Sequence, residues 1–362
     1  MKRFFAGVAA ALLAAALAFP CRANSAQSAI LMDAQTGRII YEKNADRQSL
    51  IASTTKIMTA LVVCEQANVL DRVRIPQEAV GIEGSSIYLK TGEILTVQDL
   101  LYGLMLHSGN DAAVALAIYC GGTVEGFAEL MNDKAHRLGM YDTHFVNPNG
   151  LDAPGHYSTP RDMAILAAYA MENPIFAKTV STKTVNITNR SLRNHNKLLW
   201  LLQGADGVKT GYTKAAGRIL VSSCTRQGRR LIAVTMNDRN DWEDHQNMME
   251  TGFSNYTVKQ IIKKGDHIGK VPVISGNSEY VELLAVCDFS FALSKDEDMK
   301  IVLPEPGFVY APVAMGQSAG YAHICLNGKV VGKVALIYGE TIETEEIKQP
   351  SIWEKLFKGG KT

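Results

Sequence analysis

The stretch "STTKIMTALVVCEQA", Ser53 to Ala67, carries two patterns at once. Ile57, Met58, Leu61 and Val62 recur at the spacing of a buried helix, and Ser53 stands where an N-cap is expected. Ser53 and Lys56 also form a Ser-x-x-Lys, the only such pair in the chain. Three residues along a helix put both side chains on one face, within hydrogen-bond reach. A serine hydroxyl is a weak nucleophile until a base removes its proton, and a lysine serves as that base only if burial or a nearby cation lowers its pKa. A helix start also aims free backbone N–H groups toward developing negative charge. Alone, the pattern is weak, and an ordinary cap followed by a solvated lysine describes it better.

Before this helix, "AILMDAQTGRIIYEKNAD" alternates and turns at Gln35-Thr36-Gly37, as a β-hairpin does. After it, helices are expected in "TVQDLLYGLMLHS", "NDAAVALAIYCG", "TVEGFAELMNDKAHRLG" and "TPRDMAILAAYAME". "GRILVSSCTRQGRRLIAVTMN" then predicts a hairpin turning at Gln227-Gly228, and Trp242 to Ile262 one more helix. Strands flanking a helical block predict an α/β or α+β domain over 26–262. From Lys263 only short strands follow, the last pair turning at Asn327-Gly328, so a small all-β, sandwich-like domain is expected over 263–346.

The 362 residues, 47% hydrophobic and 20% charged, suffice for about two domains with proper cores. A formal net charge of +1 supplies no general field for nucleic acid. Met1-Lys2-Arg3 followed by "FFAGVAAALLAAALAF" reads as a signal peptide, residues 1–25, and Pro20 before Cys21 makes a poor lipidation signal. Cys64, Cys120, Cys224, Cys287 and Cys325 are widely spaced, so packed thiols are expected rather than disulfides or a metal site, and no cofactor is called for. In the tail, 347–362, Ile352, Trp353, Leu356 and Phe357 share one helical face, with Lys355, Lys358 and Lys361 opposite or beyond. Such an end can lie on a membrane surface.

Ser108-Gly109-Asn110 falls between two expected helices, where polar side chains can face a cleft; Ser275-Gly276-Asn277 falls between strands, where a turn explains it. Lys-Thr-Gly occurs twice. Lys90-Thr91-Gly92 ends the alternation of "SSIYL" and reads as a turn, whereas Lys209-Thr210-Gly211 leads through "YTKAAG" into a strong strand and can form a strand edge at a cleft. There Gly211 would let a substrate backbone approach, while Thr210 and Lys209 offer a hydroxyl and a charge to a carboxylate.

Ser-x-x-Lys, Ser-x-Asn and Lys-Thr-Gly in this order are the set found in penicillin-binding proteins and class A β-lactamases. With "IASTTKIMTAL", "HSGNDAA", "FVNPNGLD", "STPRDMA" and "DGVKTGYT", the chain resembles the low-molecular-mass penicillin-binding proteins that are serine D-alanyl-D-alanine carboxypeptidases, over nearly its whole length. The resemblance implies a β-lactamase/transpeptidase-like catalytic domain in which Ser53 is acylated, Lys56 is its base and Ser108 relays a proton to the leaving D-alanine. Asn110 would hold the peptide, Lys209 and Thr210 the terminal carboxylate, and the N–H groups of Ser53 and Tyr212 the oxyanion. It implies peptidoglycan stem peptides as substrates, β-lactams as inhibitors, and a place on the outer face of the bacterial cytoplasmic membrane. Some relatives carry an arginine before the Lys-Thr-Gly strand; His195 stands there, with Arg193 nearby, and the role stays unassigned.

The alternatives are a D,D-endopeptidase or transpeptidase with the same residues, a β-lactamase, and a non-catalytic wall-binding protein. A β-lactamase needs a deacylating glutamate, and no Glu occurs between Glu129 and Glu172.

Overall fold

A computed structural model describes residues 24–303 and 307–346. Of the signal peptide expected over 1–25, residues 1–23, Cys21 among them, lie outside the described residues, as does the tail 347–362 for which an amphipathic helix is expected. The chain divides into two compact units between Ser254 and Asn255.

The first unit is built on a five-stranded antiparallel sheet. Strands β1 (Ser28–Asp33) and β2 (Ile39–Lys43) form the expected first hairpin, and β3 (Ala205–Thr213), β4 (Gly217–Arg226) and β5 (Arg229–Met236) return from far along the chain. Their spatial order is β2-β1-β5-β4-β3, which leaves β3 at one edge. The hairpin of β4 and β5 turns where the sequence places it, with Arg226 paired to Arg229 across Gln227-Gly228.

Alternation along the strands sends side chains to two cores. Ile30, Ile219, Val221, Ile232 and Val234 face the helical block, while Leu31, Leu220, Leu231 and Ala233 face Met248 and Met249 of the last helix. The helical block comprises α1 (Lys56–Gln66), α2 (Val97–Leu106), α3 (Asn110–Gly121), α4 (Val124–Arg137), α5 (Pro160–Ala170) and α6 (Pro174–Ser181). Their starts follow local chemistry. Thr96 and Asp99 form a capping box on α2, and Thr159 and Asn173 cap α5 and α6 ahead of Pro160 and Pro174. In α1 every residue from Lys56 to Val63 is buried, so the helix runs through the core rather than over it.

The last helix, α7 (Asp241–Asn255), is shorter than expected: Thr257–Ile262 is a strand paired with Phe289–Leu293. The β-branched and unbranched residues of "TVKQII" fit either state, and strand pairing decides. The second unit therefore begins with this ribbon, followed by a six-stranded sheet in which Ser318–Leu326 and Lys329–Tyr338 form the central hairpin. Ser275 sits in the turn after the strand His267–Ile274, as expected of the second Ser-x-Asn. The five described cysteines are free thiols. Cys287 is exposed, unlike the packed thiol its apolar neighbours suggest, because it follows the end of the strand Tyr280–Ala285.

In α7, Gly252 touches the sheet: a β carbon there would stand 2.7 Å from Leu231 Cδ1 and 2.9 Å from Leu31 Cδ2. Gly252→Val must displace these buried leucine side chains or push the helix off the strands, an overpacking cost of ~1–3 kcal/mol. For a domain of this size that lowers Tm by roughly 3–10 °C, read by circular dichroism; an unchanged Tm would contradict this packing.

Candidate active site

Ser53 lies within a 3-10 turn, Ala52–Thr55, that leads into α1. It is not the helix cap expected from the sequence. Thr55 occupies that position without a side-chain capping bond, and the Ser53 hydroxyl accepts instead from Lys56 Nζ at 3.1 Å. The turn is pinned from below. His156 Nδ1 accepts from the Val146 N–H at 3.0 Å, so Nε2 carries the proton and donates to Thr55 Oγ1 at 2.8 Å. Burial, with a lesser effect of His144, holds His156 down at about 4, so this ring stays neutral.

Lys56 has no exposed surface. As an ammonium, its Nζ donates to Ser53 Oγ, to Asn110 Oδ1 at 2.6 Å and to the Asn149 carbonyl; as a neutral amine it keeps two N–H bonds to give and accepts from the Ser53 O–H with its lone pair. All three acceptors are neutral. Desolvation, and then the charge of Lys209, push its pKa well below the usual 10.5, against a smaller opposing effect of Asp111. The ammonium is destabilised while the hydrogen-bond geometry is kept, which is what a general base at neutral pH requires.

The Asn149 carbonyl is presented by the loop "NPNGL". Asn147 Oδ1 accepts from Gly150 N at 2.7 Å, Asn149 Oδ1 accepts from Leu151 N at 3.1 Å, and Thr59 Oγ1 donates to the Pro148 carbonyl at 2.6 Å. Gly150 has φ +82°, and a β carbon there would run into the Ala52 carbonyl. Only glycine lets this loop close over the Ser53 turn.

Ser108 and Gly109 form the joint between α2 and α3, with Ser108 at φ 62° and nearly buried. Asn110 opens α3; its Oδ1 faces Lys56 and its Nδ2 donates to the Glu83 carbonyl. The next residue, Asp111, fixes the opposite wall. Its carboxylate accepts from Ser86 Oγ at 2.6 Å and from the backbone N–H groups of Ile87 and Leu89. Arg190 holds the same segment from outside, pairing with Glu93 at 2.7 Å and donating to the Ile87 and Tyr88 carbonyls.

The two Lys-Thr-Gly copies separate as expected. Lys90 and Thr91 are exposed, and Gly92 turns the chain at φ 78°. Lys209 is buried on the edge strand β3, donates to the Thr210 carbonyl at 2.9 Å, and is lowered by burial to about 7. A β carbon on Gly211 would stand 3.2 Å from the Ile51 carbonyl oxygen and 3.2 Å from Thr54 N. The close approach that Gly211 permits is thus of β3 to the Ser53 turn. The room sequence reasoning reserved for a substrate backbone is taken by the protein itself.

A cleft of about 500 Å³ opens over these groups, lined by Ser53, Ser85, Ser108, His195, Thr210 and Tyr212, and beyond them by Arg218, Asp241 and Trp242. His195 lies where the sequence places it, its ring centroid 5.1 Å from that of His107. Burial, then Lys209 and His107, lower its pKa to about 4. Sequence reasoning missed Asn149, Gly150, His156, Arg218 and Asp241. The Asn-Pro-Asn-Gly signal marks a turn and could have suggested the first two; the others become neighbours only through the tertiary fold. Chemically, the arrangement offers a hydroxyl, beside it an amine whose charged form is disfavoured, and a second buried amine on the edge strand. It suits nucleophilic attack on the carbonyl of a substrate bearing an anionic group.

Comparison with known proteins agrees with this geometry. Residues 15–240 match the family described as D-alanyl-D-alanine carboxypeptidase, and 256–344 match the C-terminal domain of penicillin-binding protein 5. The chain is 35% identical over 327 residues to the D-alanyl-D-alanine carboxypeptidase DacF of Bacillus subtilis, covering 86% of this chain and 84% of that protein. The crystal structure of penicillin binding protein 5 from Haemophilus influenzae superposes with a TM-score of 0.78 at 32% identity, covering 88% of this chain and 98% of that one. A mutant of the Streptomyces K15 DD-transpeptidase gives 0.61 at 36% identity, covering 64% of this chain and 98% of that one. A catalytic unit of strands around a helical block, followed by an all-β unit, is the architecture shared with these neighbours. The chain belongs to the low-molecular-mass penicillin-binding protein family of serine-type D-alanyl-D-alanine carboxypeptidases.

Proposed function

We propose that the chain is exported and removes the terminal D-alanine from peptidoglycan stem pentapeptides through an acyl-enzyme on Ser53. The observation that carries this reading is the fully buried Lys56, 3.1 Å from the Ser53 hydroxyl. Neutral Lys56 takes the Ser53 proton as Oγ attacks the carbonyl of the penultimate D-alanine. The N–H groups of Ser53 and Tyr212 receive the oxyanion. Collapse breaks the peptide bond, and the departing amine takes a proton from Lys56 by way of Ser108. Water, deprotonated in turn, then cleaves the ester and restores Ser53. Asn110 holds both Lys56 and the peptide, while Lys209 and Thr210 grip the terminal carboxylate. That anion offsets the desolvation of Lys209 and favours its charged form. β-Lactams acylate the same serine.

A transpeptidase reading uses the same residues with an amine in place of water, and the resemblance to the Streptomyces K15 DD-transpeptidase favours keeping it. Incubation with diacetyl-L-Lys-D-Ala-D-Ala separates the two: release of free D-alanine marks hydrolysis, and a new peptide product formed with an added amine marks transfer. Ser53→Ala abolishes both D-alanine release and labelling by fluorescent penicillin in a protein with native circular dichroism; a penicillin adduct mapped by mass spectrometry to another serine would refute the assignment.

The duplicated tripeptide gives an internal control. Lys209→Ala removes a buried charged contact worth ~1.5–3 kcal/mol or more and slows penicillin acylation roughly tenfold to over a hundredfold. Lys90→Ala, on the exposed turn, changes it little. Equal losses in stopped-flow acylation would contradict the distinction between the two copies.

The placement on the outer face of the cytoplasmic membrane rests on the N-terminal segment and on the tail, in which Trp353, Leu356 and Phe357 would enter the bilayer surface beside Lys355, Lys358 and Lys361. Each lysine near an anionic surface contributes about 1 kcal/mol. Mature protein truncated after Gln349 therefore fails to sediment with anionic liposomes yet keeps its activity on the small tripeptide; equal sedimentation of the two forms would show that the tail is no anchor.

A further inference from the structure

The cleft does not end at the Lys-Thr-Gly strand: Arg218, Asp241 and Trp242 continue its wall. Arg218 is the cross-strand partner of Tyr212, one strand in from the edge. Cross-strand partners share a sheet face with each other and with residues two along, so Thr210, Tyr212 and Arg218 line one face of this edge. Asp241, buried at the start of α7, holds the guanidinium through Nε at 3.1 Å and through Nη2. The Trp242 ring centroid lies 5.8 Å from the guanidinium carbon. The pair is one-sided: the Arg218 side chain is 44% exposed and that of Asp241 4%. Nη1 has no hydrogen-bond partner among the described residues.

A buried carboxylate thus orients a guanidinium whose outer edge faces the cleft, an arrangement suited to receiving a second carboxylate. The position in the cleft says which one. With the terminal carboxylate at Lys209 and Thr210 and the scissile carbonyl at the Tyr212 N–H, the stem peptide runs along the edge strand toward Thr213. That course carries its third residue past Tyr212, beside Arg218. This placement rests on the function proposed above.

We propose that Arg218, positioned by Asp241, is a specificity subsite for the side chain of the third stem residue, and that it selects side chains ending in an α-amino acid head, as in diaminopimelate, over those ending in a bare ammonium, as in lysine. The Arg218–Asp241 pair carries no net charge, which suits a zwitterionic head, and the exposed guanidinium edge takes the head's carboxylate. A lone ammonium meets that same edge with like charge. Trp242 supplies the apolar wall for the methylene stem.

The test compares kcat/KM for D-alanine release from three Nα-acetylated tripeptides X-D-Ala-D-Ala, where X is meso-diaminopimelate, the same residue with its distal carboxylate amidated, or L-lysine. The unmodified enzyme prefers the free diaminopimelyl peptide over the other two by about ten- to a hundredfold, the range for one charged hydrogen-bonded contact. In Arg218→Gln the preference for the free carboxylate over its amide collapses to near unity, closing a cycle between residue and substrate group. If the unmodified enzyme fails to distinguish the carboxylate from its amide, the subsite is overturned without recourse to the variant. It is equally overturned if Arg218→Gln slows all three peptides alike, which is the mark of a merely structural ion pair. Failure of the acyl-enzyme reading looks different: no Ser53-dependent D-alanine release from any of the three.

Discussion

Two buried lysines close enough for one charge to act on the other set the terms for everything around them. Lys56 and Lys209 are both essentially without exposed surface; both suffer desolvation, and the Lys209 charge further disfavours the ammonium of Lys56. Isolated burial of an ammonium costs several kcal/mol or more, which a protein avoids by lowering the pKa until the amine is neutral. The acceptors of Lys56 are a hydroxyl, an amide oxygen and a backbone carbonyl, none of them a carboxylate. An ion pair in their place would hold the proton on. The chosen partners fix the amine in space while leaving it free to act as a base.

The architecture serves this arrangement from three sides. The core position of α1 excludes water from Lys56, and the α2–α3 joint brings Asn110 to it. The 147–151 loop contributes a carbonyl, and two glycines allow the closure: Gly150 against the Ala52 carbonyl and Gly211 against the Ser53 turn. Asp111 and Arg190 then hold the 86–89 segment as the facing wall. Apart from Asn110, none of these supports touches the substrate in the proposed reaction, yet each limits how far Ser53 and Lys56 can drift apart. Drifts of the order of 1 Å are enough to slow such chemistry on the order of a hundredfold.

Much of this was legible in the sequence, and the parts that were not share a cause. Hairpins at Gln35–Gly37 and Gln227-Gly228 carry their own turn chemistry, and the helices of the block carry their own caps, so local reasoning found them. The end of α7 was misplaced because "TVKQII" has no breaker before it; only pairing with Phe289–Leu293 makes it a strand. Ser53 resembles a cap in the sequence because it directly precedes the apolar repeat, but the helix starts two residues later than that pattern suggests and the Ser53 hydroxyl meets Lys56 instead. The two Lys-Thr-Gly copies adopt different backbone settings, an exposed turn and a buried edge strand, in keeping with their different flanking patterns. His156 and the Arg218–Asp241 pair are not legible in the sequence, because what brings His156 under Thr55, or Asp241 beside Arg218, is the tertiary fold.

The central claim is that burial makes Lys56 a neutral base in the resting protein. It is tested most directly by NMR titration of protein labelled with 13C at the lysine ε position, with the Lys56 signal assigned by its absence in Lys56→Met. The account predicts that Lys56 titrates far below 10.5, and that its pKa rises in Lys209→Ala because a neighbouring cation is gone. A Lys56 signal that titrates with the surface lysines near 10.5, unmoved by Lys209→Ala, would contradict it.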